Sequence, residues 1–319
     1  MRILVVLLLA LSAQTVWADE GDALSWLARI HVATQKLSYT GTFVYRSGDH
    51  AETSRIVHAV GRGGTRERLE ALDGHPREIV RSGDEVKCYL PESMTIKVDR
   101  QTDHKVFPSF MPESLQDIAD HYEVSAGAVE RIAGYECQAI VLQPKDKLRY
   151  GRKLWADVKT GMLLKSQILN DRKEPIEQFT FTQISIGGKI DQKQLKPTLL
   201  GKSRDWHVEN SGAITASLAA SGWTIQPELP GFRKVTEMKR TQGGSSEVGH
   251  VVYSDGLAAL SVFIEPVASR TAQPPAGLSR QGAINIYSRQ VAGHRVTVVG
   301  EAPAVSVIRL AESVDYHKP

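Results

Sequence analysis

Cysteine is almost absent from this chain of 319 residues, with Cys88 and Cys137 the only two. That excludes a disulfide-dense small scaffold and a cysteine-built zinc module. An excess of one charge is missing as well: 39 Lys and Arg face 36 Asp and Glu, for a formal net charge of +3. Nucleic-acid binding would concentrate basic residues far more heavily, so nucleic acid is not expected as a partner. Local basic clusters remain suited to an anionic lipid or an acidic peptide. Catalytic signatures are lacking too. There is no G-x-S-x-G elbow, no H-E-x-x-H and no metal-ligand spacing among the ten scattered histidines. Gly201-Lys202-Ser203 looks like the tail of a phosphate-binding loop, but Lys196 stands where that motif needs its first glycine. No catalytic residue, metal or cofactor is therefore expected.

Beyond the N-terminus the chain also lacks any apolar run of membrane-spanning length. At the N-terminus, Met1-Arg2 precedes an apolar run from Ile3 to Ala13, and Val16-Trp17-Ala18 has the form of a signal-peptidase site. A secretory signal over residues 1–18 is predicted, with cleavage after Ala18. No cysteine follows to carry a lipid anchor, so the mature chain Asp19–Pro319 is expected to be soluble and exported.

What is present is mostly strand pattern. A helix is predicted over Asp22–Leu37, with Leu24, Leu27, Ala28 and His31 on one stripe and His31 read as a core histidine. Short β-rich runs follow at Tyr39–Arg46, Ser54–Val60, Thr65–Leu72, Arg77–Arg81, Glu85–Leu90 and Met94–Asp99, separated by glycine-bearing turns. This predicts a meander of antiparallel hairpins. Pro108 and Pro112 interrupt it, and Ser114–Tyr122 reads as a short helix. Strands resume at Tyr122–Ala126, Val129–Ile132, Tyr135–Gln143 and Glu177–Ile186. The stretch Arg149–Leu169 is a hairpin around Lys159-Thr160-Gly161, in which Leu154, Ala156 and Val158 alternate with Lys153, Trp155 and Asp157.

From Gly187 the alternation dissolves and does not return until about Trp223, which places a linker at residues 201–221. The remaining residues, 222–319, read as a smaller α+β unit. Its strands are predicted at Phe232–Lys239, Gly249–Tyr253, Ala258–Ile264, Ala283–Gln290 and Arg295–Val299, before a closing helix that starts at Pro303. Its apolar face is read as Ala304, Val307, Ile308, Ala311 and Val314. Pro266–Gly282 reads as one long loop.

Cys88 and Cys137 both fall in strand-like runs of the large unit, and an exported chain meets an oxidising compartment. A disulfide between them is expected, contributing roughly 4 kcal/mol in the chain-entropy model. A redox switch is the less favoured alternative, since no C-x-x-C spacing is present.

Five stretches carry a resemblance: Gly41–Tyr45, Arg66–Leu69 with Leu72–Gly74, Gly134–Cys137, Arg149–Gly151 with Leu154-Trp155 and Thr160-Gly161, and Ser254–Leu257 with Ser261–Pro266. In order and in both units the chain resembles the RseB/MucB family of periplasmic regulators of the envelope-stress sigma factor. The resemblance implies an α+β fold. Residues 19–200 would form an antiparallel half-barrel covered by helices, similar to LolA and LolB, and the smaller C-terminal domain would bind an anti-sigma factor. It also implies a periplasmic location and two kinds of partner. One is the periplasmic region of a membrane-anchored anti-sigma factor, shielded from regulatory proteolysis. The other is lipopolysaccharide or lipoprotein acyl chains, whose arrival would release it. Homo-oligomerisation is left open, and a lipid or lipoprotein carrier with no regulatory partner is the alternative function.

The residues nominated for an anionic lipid are Arg149, Tyr150, Arg152, Lys153 and Trp155, the tightest basic cluster beside aromatics in the large unit. Arg149 and Arg152 would meet phosphate at an exposed rim. The bland reading of the same residues is a solvated hairpin entry.

Overall fold

The computed structural model describes residues 20–100, 115–199, 205–210, 212–242, 246–267 and 276–318. The predicted signal segment, the Pro108–Pro112 break, residues 201–204 and part of the Pro266–Gly282 loop lie outside them.

The chain opens with helix α1 (Glu20–Lys36) and continues into strands β1 (Tyr39–Ser47), β2 (His50–Gly61), β3 (Gly64–Ala71), β4 (Glu78–Ser82), β5 (Glu85–Leu90) and β6 (Thr95–Arg100). Helix α2 (Leu115–His121) precedes β7 (Tyr122–Ile132), β8 (Tyr135–Pro144), β9 (Gly151–Asp157), β10 (Leu163–Leu169) and β11 (Pro175–Ile186). The two strands expected at 122–132 are one, with a register shift between Ala126 and Val129 where the pattern breaks. β7 and β8 are joined by Ala133-Gly134, both at positive φ (48° and 90°). That geometry matches a two-residue turn to the twist of the flanking strands.

β1 to β11 lie in one 12-stranded sheet, in which the pairing of β1 with β11 joins the β1–β6 and β7–β11 meanders side by side. Its last member is β12 (His207–Asn210), which runs parallel to β6. The predicted linker is thus partly strand. β12 closes the large sheet, and β13 (Gly212–Thr215), one residue further on, starts the second sheet. The polar stretch before it is also held down. Glu78, fully buried, accepts hydrogen bonds from Thr198 N (2.8 Å) and Leu199 N (3.1 Å), and pairs with Arg68 at 2.8 Å. Polarity in that segment reflects bonding to a buried carboxylate, which composition alone cannot distinguish from a loose linker.

The second unit adds β14 (Trp223–Ile225), β15 (Arg233–Gln242), β16 (Ser246–Ser254), β17 (Ala259–Pro266), β18 (Gly277–Gln281), β19 (Ile284–Val291), β20 (His294–Gly300), helix α3 (Ala304–Glu312) and β21 (Val314–Tyr316). Its sheet runs β13-β15-β16-β17-β20-β19-β18, and β14 pairs with β21 to tie down the chain end. β18 lies within the stretch read as a loop; it is exposed at every residue, so no burial pattern marks it. α3 and one face of this sheet enclose a core of Leu260, Val262, Val296, Val298, Val307 and Leu310. Helix α3 buries Ser306, Val307, Leu310 and Ala311, so Ala304 and Ile308 of the predicted face stand outside its buried set.

The large sheet buries apolar groups on both faces. One face carries Ile140, Leu142, Leu154 and Ala156 beneath α1 and α2. The stripe that α1 buries is Ala23, Trp26, Leu27, Ile30 and Ala33, rotated by about one residue from the predicted one. His31 is only half-buried and bonds Gln35 at 3.1 Å. Trp26 and Ile30 bring more apolar area than Ala28 and His31, and area decides which side of the helix turns inward. The opposite face carries Tyr39, Phe43, Ile56, Cys137, Trp155, Phe179 and Phe181. Here Phe43, Phe179 and Phe181 pack edge-to-face with ring centres 4.9–5.8 Å apart.

The predicted disulfide is not formed: Cys88 and Cys137 are free. Cys88 lies on β5 and Cys137 on β8, eight places apart in the strand order. At about 4.8 Å per strand they stand some 38 Å apart measured along the sheet, whereas a disulfide needs Cα atoms within about 7 Å. Membership of one sheet does not bring two strands together when the sheet is this wide.

Candidate functional site

The segment between β8 and β9 is shaped locally. Asp146 Oδ1 accepts from Leu148 N at 2.9 Å and from Arg149 Nε at 3.2 Å, which turns the chain outward from the large sheet. Leu148 then packs into the core of the second unit, and its carbonyl accepts from Ser306 Oγ of α3 at 2.6 Å. The hairpin beyond is held by Asp157 Oδ2, which accepts from Thr160 N (2.8 Å) and Oγ1 (2.6 Å). Gly161 follows at φ +77°, where an added Cβ would lie 3.0 Å from the Arg29 carbonyl oxygen. The turn predicted from Lys159-Thr160-Gly161 is therefore also where the hairpin packs on α1.

Arg149 is the centre of the seam between the two units. Its side chain is fully buried and Nη1 donates to Asp255 Oδ2 at 3.0 Å. Nη2 donates to the Pro230 carbonyl. The guanidinium sits 5.6 Å from the Tyr122 ring centre and 5.1 Å from that of Phe232. Asp255 is equally well served. Tyr122 Oη donates to Oδ2 at 3.0 Å, while Leu257 N (2.9 Å) and Ala258 N (2.7 Å) donate to Oδ1. Burial, then the Asp255 charge, holds the Tyr122 hydroxyl well above its ordinary range, so it stays a proton donor. A buried pair with every lone pair satisfied is the geometry that offsets the cost of desolvating two charges.

The neighbours extend the same seam. Tyr150 Oη accepts from Asn285 Nδ2 at 2.9 Å, and Asn285 also donates to the Ala302 carbonyl. Arg152, 2 % exposed, donates to the Leu257 carbonyl at 2.7 Å and reaches Glu301 Oε2 at 3.4 Å. Peripheral ion pairs join Arg233 to Asp117 (3.0 Å) and Arg240 to Asp99 (3.5 Å).

Three of the five nominated lipid-binding residues are therefore not a rim. Arg149, Tyr150 and Arg152 are engaged with the second unit, so the expectation that Arg149 and Arg152 are exposed to a phosphate is corrected. Lys153 and Trp155 lie on the other side of β9. Lys153 Nζ stands 4.5 Å from the Trp155 ring centre and 3.2 Å from Glu130, with Lys165 Nζ 4.3 Å from the same ring. The predicted sharing of one face by Lys153 and Trp155 stands, and that face is the aromatic one. Asp255, Tyr122, Asn285 and Glu301 were missed. Ser254–Leu257 stood out as a motif, but its partner lies 106 residues away in sequence, where no periodicity reaches. Among the described residues no group of three or more His, Cys, Asp or Glu could hold a metal ion.

The geometry defines a two-unit protein whose most elaborate polar site joins its domains. Family models agree: residues 22–199 match the MucB/RseB N-terminal domain and residues 217–315 the MucB/RseB C-terminal domain. The chain belongs to the MucB/RseB family. It is 32% identical to the sigma factor AlgU regulatory protein MucB of Pseudomonas aeruginosa, covering 98% of both chains. It is 25% identical to the sigma-E factor regulatory protein RseB of Haemophilus influenzae, covering 94% of this chain and 93% of the relative. Among solved structures, the Pseudomonas aeruginosa MucA/MucB complex superposes with a TM-score of 0.72 at 28% identity, covering 93% of this chain and all of that one. MucB bound to MucA(peri) superposes at 0.70 with 29% identity, covering 94% of this chain and 100% of that one.

Proposed function

We propose that this protein is an exported, periplasmic, non-catalytic regulator that binds the periplasmic region of a membrane-anchored anti-sigma factor. The observation that carries the reading is the likeness, over both domains, to a MucB chain solved with MucA. Binding shields the anti-sigma factor from regulatory proteolysis. A lipid signal, lipopolysaccharide or the acyl chains of a mislocalised lipoprotein, relieves the shielding. The seam supports coupling between the two events, because it joins the two domains through buried polar contacts that a ligand on one domain could bias. The aromatic face beside Lys153, Lys165 and Trp155 offers the apolar and basic chemistry a lipid requires.

The test uses the mature chain and the periplasmic region of a single-pass anti-sigma factor from the same organism. Calorimetry should show a saturable complex, the complex should resist the first regulatory protease, and added lipopolysaccharide should restore cleavage. Absence of a complex at micromolar concentrations would remove the regulatory reading and leave the lipid-carrier alternative.

A further inference from the structure

The seam has a second end with a different composition. Beside the β1–β2 turn lies a cleft of about 520 Å³, lined by Arg46, Glu177 and Gln178 of the large unit and by Arg280 and Gly282 of the small one. The units are in close contact here, since a Cβ added at Gly282 would fall 1.8 Å from Ser47 Oγ. Arg46 and Arg280 are both exposed, and neither is in an ion pair with a described residue. Arg280 donates from Nε to the Gly282 carbonyl at 2.8 Å, leaving its two Nη groups for another acceptor. Gln178 gives its oxygen to Gln167 Nε2 at 2.6 Å and keeps its own amide donor. Glu177 is the one acid among these lining residues, and its Oε2 is buried with no hydrogen-bond partner among the described residues. Burial pushes its carboxyl up to about 7, so it opposes the two arginines with less than a full charge at neutral pH.

β18 ends at this cleft and is the last strand of the small sheet. An edge strand leaves a row of N–H and C=O groups open to another chain, and proteins usually blunt such edges with bulges or charge. β7, an edge of the large sheet, is treated that way: its register shifts between Ala126 and Val129, and Glu123, Glu130 and Arg131 lie along it. β18 is not. It keeps an unbroken register with β19 and is exposed at every residue. No backbone group of Gly277–Gln281 bonds to a described residue outside that pairing. The charge around it is of one sign. Between Glu265 and Glu301 the chain has no Asp or Glu, but it has Arg270, Arg280, Arg289 and Arg295.

We propose that β18 is the edge to which an acidic, extended segment of the regulatory partner adds as a further strand, placing a carboxylate against Arg280 and Arg46 at the cleft. This rests on the regulatory reading above and adds where and how the partner is held. Backbone hydrogen bonds to the open edge supply affinity, and side chains at neighbouring positions supply selection. Leu278, 51 % exposed, shares a face of β18 with Arg280, because side chains alternate along a strand. The segment that fits therefore carries an acidic residue two positions from an apolar one. A bare anion would meet the guanidinium groups and leave the edge open, whereas a peptide uses both.

The experiment is hydrogen–deuterium exchange on the full mature chain, alone and saturated with the partner's periplasmic region, read beside calorimetry in low and high salt. On binding, the amides of Gly277–Gln281 should gain roughly tenfold protection or more. Arg280→Glu should weaken the complex roughly tenfold and flatten its salt dependence, and Arg46→Glu should weaken it less. Both side chains are exposed, so an unchanged melting temperature is expected and checks that each variant is folded. A complex that leaves the β18 amides unchanged, or that Arg280→Glu forms as tightly as the wild type, would overturn this proposal and leave the regulatory reading standing. No complex at all would overturn both. Protection of β18 that grows with the concentration of the chain alone would make the edge a self-association surface. Protection by lipopolysaccharide in place of the partner would assign it to the lipid, and either of these results overturns the proposal.

Discussion

At the Arg149 end of the seam a buried guanidinium meets a buried carboxylate, and Tyr122, Leu257 and Ala258 complete the shell around Asp255. At the Glu177 end a half-buried carboxylate with one unpartnered oxygen borders a cleft that Arg46 and Arg280 also line. The first end leaves no acceptor position of its buried carboxylate open. The second leaves one carboxylate oxygen open. One interface thus combines a fully satisfied buried ion pair with a less complete polar contact, and the difference lies in how many hydrogen bonds reach each carboxylate.

The largest effect should come from Arg149→Gln, which leaves Asp255 buried without its counter-ion. Loss of one partner of a buried pair typically costs about 3–5 kcal/mol, and urea unfolding should show that loss. A loss below about 1 kcal/mol would break the comparison by showing that the lock carries little. Tyr122→Phe removes one hydrogen bond to Asp255 and keeps the ring under the guanidinium. It should cost about 1–2 kcal/mol, and a double-mutant cycle with Arg149→Gln should be non-additive because the two share one acceptor.

A smaller effect belongs to His250, which gives the small unit an acid response of its own. His250 is 8 % exposed and stacks on Phe263 at 4.4 Å, with no partner for either ring nitrogen among the described residues. Burial, and then Arg240, push its pKa down to about 4. The folded state thus holds fewer protons on this group than the unfolded one, so stability present above about pH 6.5 is lost as pH falls toward 4. His250→Phe should flatten that acid limb in thermal melts from pH 7 to 4.5. An unchanged limb would assign acid sensitivity elsewhere.

The smallest effect is expected from reduction. With Cys88 and Cys137 free, the denatured, unreduced protein should show two titratable thiols and reductant should leave the melting temperature unchanged. A missing thiol pair would mean that the wide sheet brings β5 and β8 together after all.

Much of the architecture was legible locally. Every predicted strand of the large unit from Tyr39 to Ile186 has an observed counterpart, because alternation and glycine turns act within a few residues. The pairing of Lys153 with Trp155 followed from strand period alone. What failed has a common cause. Arg149 and Arg152 were read as exposed because charge at a hairpin entry ordinarily faces water. Their counter-groups, Asp255 and Glu301, lie more than a hundred residues away. Residues 207–210 were read as linker for the same reason, since the strand that pairs with them, β6, lies more than a hundred residues earlier.

By itself the sequence determined the two-unit division of strand-rich segments, the position of most turns and the family resemblance, since these rest on short-range periodicity and on motif order. Only the tertiary structure decided that two cysteines in one sheet stay apart, that a basic cluster becomes a domain lock, and that Glu177 buries an oxygen with no hydrogen-bond partner among the described residues. Those outcomes depend on which distant groups share a low-dielectric space, and desolvation makes such neighbours decisive while leaving no local trace in the chain.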